Sequence, residues 1–227
     1  MARFSRIQVL NAMYDISLIP VFYNADFETA KNVVAALSRG GCKLVEFVNR
    51  GDHAVEVFAE LEKFFRKEDP TLVLGAGSIV DPFTAAAYIN VGANFIVGPT
   101  LHAEVAKICN RRMIPYSPGC GSASEISYAQ ELGCEICKVF PGECVGGPKF
   151  IKSVMGPMPW TRMMPTGGVK PTRESVTEWI EAGVAAMGMG SELVTADAIK
   201  AKDWQGIENK VRETIALVQE VKKNKKK

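Results

Sequence analysis

The chain has 227 residues, of which 47% are hydrophobic and 23% are charged, as expected for one globular domain with a substantial core. A formal net charge of +2 does not suggest a nucleic-acid-binding surface, and no run of about 18 apolar residues predicts a membrane span. The first residues lack the apolar stretch of a signal peptide, so we expect a cytoplasmic protein.

Short apolar segments alternate with longer amphipathic ones along the chain. After a predicted helix over residues 3–13, this pattern predicts strands over residues 16–23, 43–48, 72–75, 94–97, 113–116, 135–140, 162–165 and 185–188. The intervening and final helices are predicted over residues 26–38, 53–66, 82–90, 102–110, 122–132, 149–155, 172–182 and 204–221.

Eight strand–helix pairs predict a parallel sheet, and strands that are apolar on both faces fit burial beneath helices. In a chain of this length, such pairs close naturally into a (β/α)8 TIM barrel. We therefore expect a single α/β domain over residues 1–227, with the N-terminal helix capping the barrel bottom. The alternative is an open doubly wound sheet, which fits less well because no GxGxxG motif follows the first strand.

Two further features of the composition predict no ligand site. The six cysteines do not suggest a disulfide framework, and Cys134 and Cys137 lack the additional ligands of a metal site, so buried free thiols are expected. Five lysines within residues 221–227 predict a disordered tail over residues 222–227 rather than a nucleic-acid-binding arm.

In a barrel, the active site lies at the C-terminal ends of the strands. Glu46 lies inside the apolar second strand, where alternation places it on the same face as Leu44 and Val48. A carboxylate there is unfavourable unless it is paired, and Arg50 at the strand end could bind either Glu46 or a substrate anion. A purely structural Glu46–Arg50 pair is the alternative hypothesis.

Lys138 is flanked by apolar residues in the sixth strand, an unusual position for lysine. Burial would lower the pKa of its amine and keep part of it neutral, as nucleophilic attack on a carbonyl requires. The alternative is an outward side chain whose amine reaches solvent between helices. The strand position alone does not decide between them.

Glycines follow the last two predicted strands, at Gly167-Gly168 and at Gly190-Ser191. Loops at these two places often form a phosphate site from backbone N–H groups. Either pair alone would indicate only a tight turn, but the two together predict phosphate binding.

Together these residues give the chain a resemblance to the 2-keto-3-deoxy-6-phosphogluconate (KDPG) aldolase family, also known for 4-hydroxy-2-oxoglutarate (KHG) aldolase activity. The resemblance extends over residues 16–196. It is carried by the order and spacing of short segments, at residues 44–50, 75–78, 98–100, 114–119, 138–141, 146–147, 165–168 and 188–191.

This resemblance implies a class I (Schiff-base) aldolase that reversibly cleaves KDPG to pyruvate and glyceraldehyde 3-phosphate. Lys138 would form the imine, and Glu46 would be the general acid and base. Substrate contacts would come from Arg50 and Ser78 at the pyruvate carboxylate, from Pro99, Phe140 and Thr166 in the pocket, and from Gly167, Gly168, Gly190 and Ser191 at the phosphate. Family members are typically homotrimers and require no metal or other cofactor.

Departures from the family pattern leave the second substrate open. Val48-Asn49-Arg50 stands where Thr-Leu-Arg is common, Ser78 replaces threonine, and Cys120-Gly121 replaces Ile-Ser. No catalytic group is lost, and KHG cleavage to pyruvate and glyoxylate is an alternative main activity. A sugar-phosphate epimerase or isomerase, which would not need an inward Lys138, and a binding protein without catalysis are the remaining alternatives.

Overall fold

The computed structural model describes residues 2–225, with Met1, Lys226 and Lys227 outside the described part. Its strands are β1 (Leu18–Phe22), β2 (Leu44–Val48), β3 (Val73–Gly77), β4 (Ile96–Val97), β5 (Tyr116–Ser117), β6 (Gly119–Cys120), β7 (Cys137–Val139), β8 (Met163–Pro165) and β9 (Met187–Met189). Its helices are α1 (Arg6–Ile16), α2 (Phe27–Arg39), α3 (Ala54–Glu68), α4 (Pro82–Asn90), α5 (Ala103–Arg111), α6 (Ala123–Glu131), α7 (Gly147–Met155), α8 (Arg173–Ala182), α9 (Ala196–Lys200) and α10 (Trp204–Lys225).

These elements follow the predicted alternation, with two local differences. The fifth strand, predicted over residues 113–116, instead begins at Tyr116 and continues to Cys120, and Pro118, which has no backbone N–H, divides it into β5 and β6. The short helix α9 was not predicted; the Thr195 side chain caps it by accepting a hydrogen bond from the Ala198 amide at 3.2 Å.

All strand pairs are parallel, and the strands form two curved sheets. The larger has the order β5-β4-β3-β2-β1-β9 and the smaller the order β6-β7-β8. An isolated parallel bridge between Thr166 and Gly188 joins β8 to β9. The order shows no reversal within the sheet, so the doubly wound alternative is wrong.

Apolar side chains form two clusters, one on each face of the strands. The outer cluster fills the space between strands and helices and includes Phe47, Phe58 and Tyr88. The inner cluster joins Val9 and Met13 of α1 mainly to residues at or just before the N-terminal ends of the strands: Ile19, Leu44, Val73, Phe95, Ile136 and Ala186. Val97 and Met164, further along their strands, complete it. Helix α1 therefore contacts the strand interior at its N-terminal end.

The C-terminal tail differs from its prediction, because α10 continues to Lys225. The Lys222 ammonium donates hydrogen bonds to the Tyr14 carbonyl and the Ser17 hydroxyl at 2.7 and 2.8 Å, and the Lys225 ammonium donates to the Ile180 carbonyl at 2.6 Å. These contacts bind the lysines to the domain, so disorder is wrong for residues 222–225; residues 226 and 227 lie outside the described part. Among the helices of residues 2–225, none combines the length and the hydropathy of a membrane-spanning segment.

Candidate active site

Glu46 is fully buried on the inner face of β2, and neither of its carboxylate oxygens has a hydrogen-bond partner among residues 2–225. The Glu46 side chain occupies space that is open only because residue 77 of the neighbouring strand β3 is glycine. A Cβ on Gly77 would lie 1.9 Å from Glu46 Oε1. Burial raises the pKa of the Glu46 carboxyl, while the charges of Lys138 and Arg50 act in the opposite direction. A buried, unpartnered carboxyl is a candidate proton carrier.

Lys138 lies on β7 with only 5% of its surface exposed. Its neighbours Cys137 and Val139 belong to the outer cluster, so alternation turns Lys138 inward and the hypothesis of an outward lysine is wrong. Its Nζ lies 4.8 Å from the centroid of the Phe140 ring. Burial lowers the pKa of this amine; Glu46 opposes that shift and Arg50 adds to it. A larger fraction of Lys138 is therefore neutral and nucleophilic near pH 7.

Arg50 follows β2 at the C-terminal edge of the sheet. Within residues 2–225, its side chain forms no hydrogen bond and no ion pair, so the hypothesis of a structural Glu46–Arg50 pair is wrong. No ion pair joins Glu46 to Lys138 within these residues either. The charges of Arg50 and Lys138 nevertheless act on the Glu46 carboxyl, and those of Arg50 and Glu46 act on the Lys138 amine.

A cavity of about 470 Å³ opens at this edge. It brings together seven of the predicted site residues: Arg50, Phe140, Thr166, Gly167, Gly168, Gly190 and Ser191. Phe140 connects the cavity to the Lys138 amine, which lies over its ring. The cavity is therefore large enough for a small-molecule substrate and adjoins the buried lysine.

Thr166 contributes a second unpartnered polar group to the cavity. It is 9% exposed, and its buried hydroxyl has no partner among the described residues. A Cβ on Gly188 would lie 2.3 Å from Thr166 Oγ1, so the close approach of β8 and β9 requires glycine there. Since buried hydroxyls are normally hydrogen-bonded, this one is available to a ligand.

The glycine loops present amide groups to the same cavity. Gly167 and Gly168 have φ values of +90° and +84°, in the left-handed region that favours glycine. The N–H groups of Gly168 and Ser191 donate no hydrogen bond within residues 2–225. Free amides on two adjacent loops are suited to an anion.

Ser78 and Pro99 do not line this cavity, although both lie near the reactive groups. Ser78 directly follows Gly77, which lies against Glu46, and has a left-handed φ of +58°. The Pro99 carbonyl oxygen would lie 2.1 Å from a Cβ on Gly119, the residue paired with Lys138 across β6 and β7.

A larger cavity of about 660 Å³ lies beside α1 and is lined by Ile7, Tyr14, Trp160 and Arg162, among others. It contains none of the predicted site residues. We place the active site in the smaller cavity, because the buried amine and the unpartnered Thr166 hydroxyl adjoin that one.

Sequence reasoning missed two polar residues of the cavity, Tyr23 and Glu192. Tyr23 comes directly after β1, so a search for polar residues at every strand end would have found it. Glu192 follows the predicted Ser191, and its carboxylate introduces negative charge at the cavity lining.

Comparison with known proteins identifies the family. A sequence profile of KDPG and KHG aldolases matches residues 9–210. The chain belongs to this aldolase family. It is 30% identical to the KHG/KDPG aldolase of Escherichia coli K12 over 198 residues, covering 87% of this chain and 90% of that protein. It is 32% identical over 180 residues to the 2-dehydro-3-deoxy-phosphogluconate aldolase of Pseudomonas aeruginosa, covering 79% of each.

Solved structures of the family have the same fold. The KDPG aldolase of Legionella pneumophila, with pyruvate captured as a covalent carbinolamine intermediate, superposes with a TM-score of 0.82 at 26% identity. The match covers 90% of this chain and 97% of that one. This chain is thus an aldolase, an enzyme of the lyase class, and the epimerase, isomerase and non-catalytic hypotheses are set aside.

Proposed function

We propose that this aldolase uses Lys138 to form an imine with the keto carbon of KDPG and cleaves it to pyruvate and glyceraldehyde 3-phosphate. The observation that carries the proposal is the buried Lys138 amine, with its lowered pKa, beside the unpartnered Glu46 carboxyl. The names of its relatives and the free amides of the glycine loops support a phosphorylated substrate.

In this mechanism the neutral Lys138 amine attacks C2 of the substrate, and loss of water gives a protonated imine. Glu46, acting through a water molecule, removes the proton of the C4 hydroxyl. The C3–C4 bond breaks, its electron pair moves into the imine to form an enamine, and the aldehyde leaves. Glu46 returns a proton to C3, and hydrolysis of the pyruvate imine restores Lys138.

The other predicted residues would hold the substrate in place. Arg50 and Ser78 would bind the pyruvate carboxylate, while Pro99 and Phe140 form the pocket walls. The unpartnered Thr166 hydroxyl would meet a substrate hydroxyl. The amides at Gly167, Gly168, Gly190 and Ser191 would bind the phosphate. Such positioning can contribute about 7–11 kcal/mol as effective concentration.

We further infer that the two sheets form one closed (β/α)8 barrel in a single domain of residues 1–227. The Thr166–Gly188 bridge on one side and the continuity of β5 and β6 through Pro118 on the other support closure. The inner cluster around Val9 and Met13 supports α1 as the cap of the barrel bottom.

We also propose a cytoplasmic homotrimer that needs no metal or other cofactor and binds neither nucleic acid nor membranes. Exposed Val80 and Phe83 offer an apolar surface for a partner copy, and the buried free thiols suit a reducing compartment. Sedimentation of the purified protein tests the trimer.

KHG cleavage is the second candidate, and Glu192 is the observation that favours it. This carboxylate lines the cavity next to Ser191, where it would repel a phosphate dianion. The ratio of kcat/KM for KDPG to that for KHG decides between the two as main substrate.

Borohydride trapping tests the chemistry directly. The protein is incubated with pyruvate, reduced with sodium borohydride and digested for peptide mass spectrometry. We expect a reduced pyruvate adduct on Lys138, and on no other lysine at comparable yield. A folded protein with no adduct on Lys138 would refute the Schiff-base mechanism.

A further inference from the structure

Arg50 carries a predicted binding role without any direct support from another side chain. Its guanidinium has no hydrogen bond or ion pair within residues 2–225, although it lines the cavity. A long, unrestrained side chain loses rotamer freedom when it binds a planar carboxylate. The backbone on either side of Arg50 can therefore set the direction of its side chain. Both neighbouring residues, Asn49 and Gly51, are in close contact with a tyrosine.

On the N-terminal side, Asn49 is held from two directions. Its amide donates to the Gly77 carbonyl at 2.8 Å, and its side-chain oxygen accepts a hydrogen bond from the Tyr88 hydroxyl at 3.0 Å. Tyr88 is fully buried on α4, and its ring packs edge-on against Phe58 with 5.2 Å between centroids. The donor is thus fixed in the core and reaches directly to the residue before Arg50.

On the C-terminal side, Gly51 lies against the tip of a second tyrosine. A Cβ on Gly51 would be 2.2 Å from the Tyr23 hydroxyl oxygen, so any side chain there must displace Tyr23. The Tyr23 ring is in turn held against Phe47, with 5.6 Å between centroids. Gly51 has no left-handed φ, so space rather than backbone conformation requires glycine.

We propose that Tyr88 and Tyr23 are positioning residues that fix the backbone on both sides of Arg50 and preset its guanidinium for the carboxylate of a 2-keto acid. The inference rests on the proposed function, in which Arg50 binds that carboxylate. It also gives the Asn49-Arg50-Gly51 sequence a role: Asn49 supplies the acceptor for Tyr88, and Gly51 supplies the space for Tyr23.

The test compares two carbonyl probes that differ at one group. Pyruvate has the carboxylate, whereas hydroxyacetone has CH2OH in its place, and both are trapped on Lys138 with borohydride at subsaturating concentration. Tyr88→Phe removes the hydroxyl and keeps the ring, and Gly51→Ala displaces Tyr23. Each should lower the trapping rate with pyruvate by about 3- to 10-fold and leave that with hydroxyacetone within about twofold.

Arg50→Ala defines the full effect: the pyruvate rate should fall about 10- to 100-fold more than the hydroxyacetone rate. Both rates should decrease to some extent, because the Arg50 charge also lowers the pKa of Lys138. Tyr88→Phe should add nothing in the Arg50→Ala background, because a positioning residue acts only through the residue that it positions. Tyr128→Phe, on the exposed surface of α6, is the matched control and should change neither rate.

Equal losses with both probes would show a general structural effect and overturn the inference, as would unchanged pyruvate trapping in both variants. If Tyr88→Phe does not fold, Asn49→Ala removes the same hydrogen bond from the other side. Wild-type protein that traps no pyruvate on Lys138 would instead refute the proposed function, and the inference with it.

Discussion

The inner face of the strands carries apolar side chains at one end and ionisable side chains at the other. Near the N-terminal ends, Leu44 and Ile136 belong to an apolar cluster with Met13 of α1. Two residues further along the same strands, Glu46 and Lys138 occupy the same inner face, equally buried but ionisable. One end therefore buries apolar side chains, while the other holds ionisable groups that form no ion pair within residues 2–225. We expect substitutions at the two ends to affect different properties.

Lys138→Met should produce the largest effect, because it keeps the length of the side chain and removes the amine. We expect borohydride trapping of pyruvate and aldol cleavage to be abolished while thermal unfolding stays cooperative. Lys149→Met on the exposed surface of α7 is the matched control and should retain full activity. Near-normal turnover of the Lys138 variant would rule out this residue as the nucleophile.

Glu46→Gln should separate two steps that Lys138→Met abolishes together. Loss of the proton carrier should slow exchange of the pyruvate methyl protons with solvent by about 10²- to 10⁴-fold. Imine trapping should persist, because the Glu46 charge raises the pKa of Lys138 and its removal favours the neutral amine. Exchange can be followed by NMR in D2O; wild-type exchange in the variant would exclude Glu46 as the base.

Met13→Ala probes the apolar end. Removing this fully buried side chain should lower the free energy of unfolding by about 2–5 kcal/mol. At 25 °C the folded variant should retain its kcat/KM. Urea denaturation with a parallel activity assay measures both quantities, and Met113→Ala, at an exposed methionine, should have little effect on either. A large loss of activity in folded Met13→Ala protein would show that the two ends are coupled.

Ser191→Asp tests the phosphate end of the cavity. The added carboxylate should raise KM for KDPG about tenfold by charge repulsion and leave KM for KHG, which has no phosphate, nearly unchanged. Ser153→Asp, on the exposed face of α7, adds the same charge away from the cavity. Steady-state kinetics give KM for KDPG and for KHG in both variants. Equal increases of the two KM values in Ser191→Asp would contradict phosphate binding at this loop.

The smallest expected effect is on the pH dependence of borohydride trapping, which reports the lowered pKa of Lys138 directly. Only the neutral amine attacks, and burial lowers the pKa of Lys138 from its ordinary value of 10.5. The trapping rate should therefore rise with pH and level off below pH 10.5. A Lys138 trapping rate that is still rising at pH 10.5 would contradict the lowered pKa.

The sequence alone determined which residues could carry the chemistry, because strand alternation and strand ends are local properties. Period two placed Glu46 with Leu44, and the strand ends located Arg50 and the glycine loops. Only the tertiary structure decided that Lys138 points inward, that Arg50 is not paired with Glu46, and that Asn49 and Gly51 meet Tyr88 and Tyr23. These outcomes depend on partners far along the chain: Tyr88 is 39 residues from Asn49. Local periodicity defines the two faces of a strand, but only long-range packing determines what lies opposite each face.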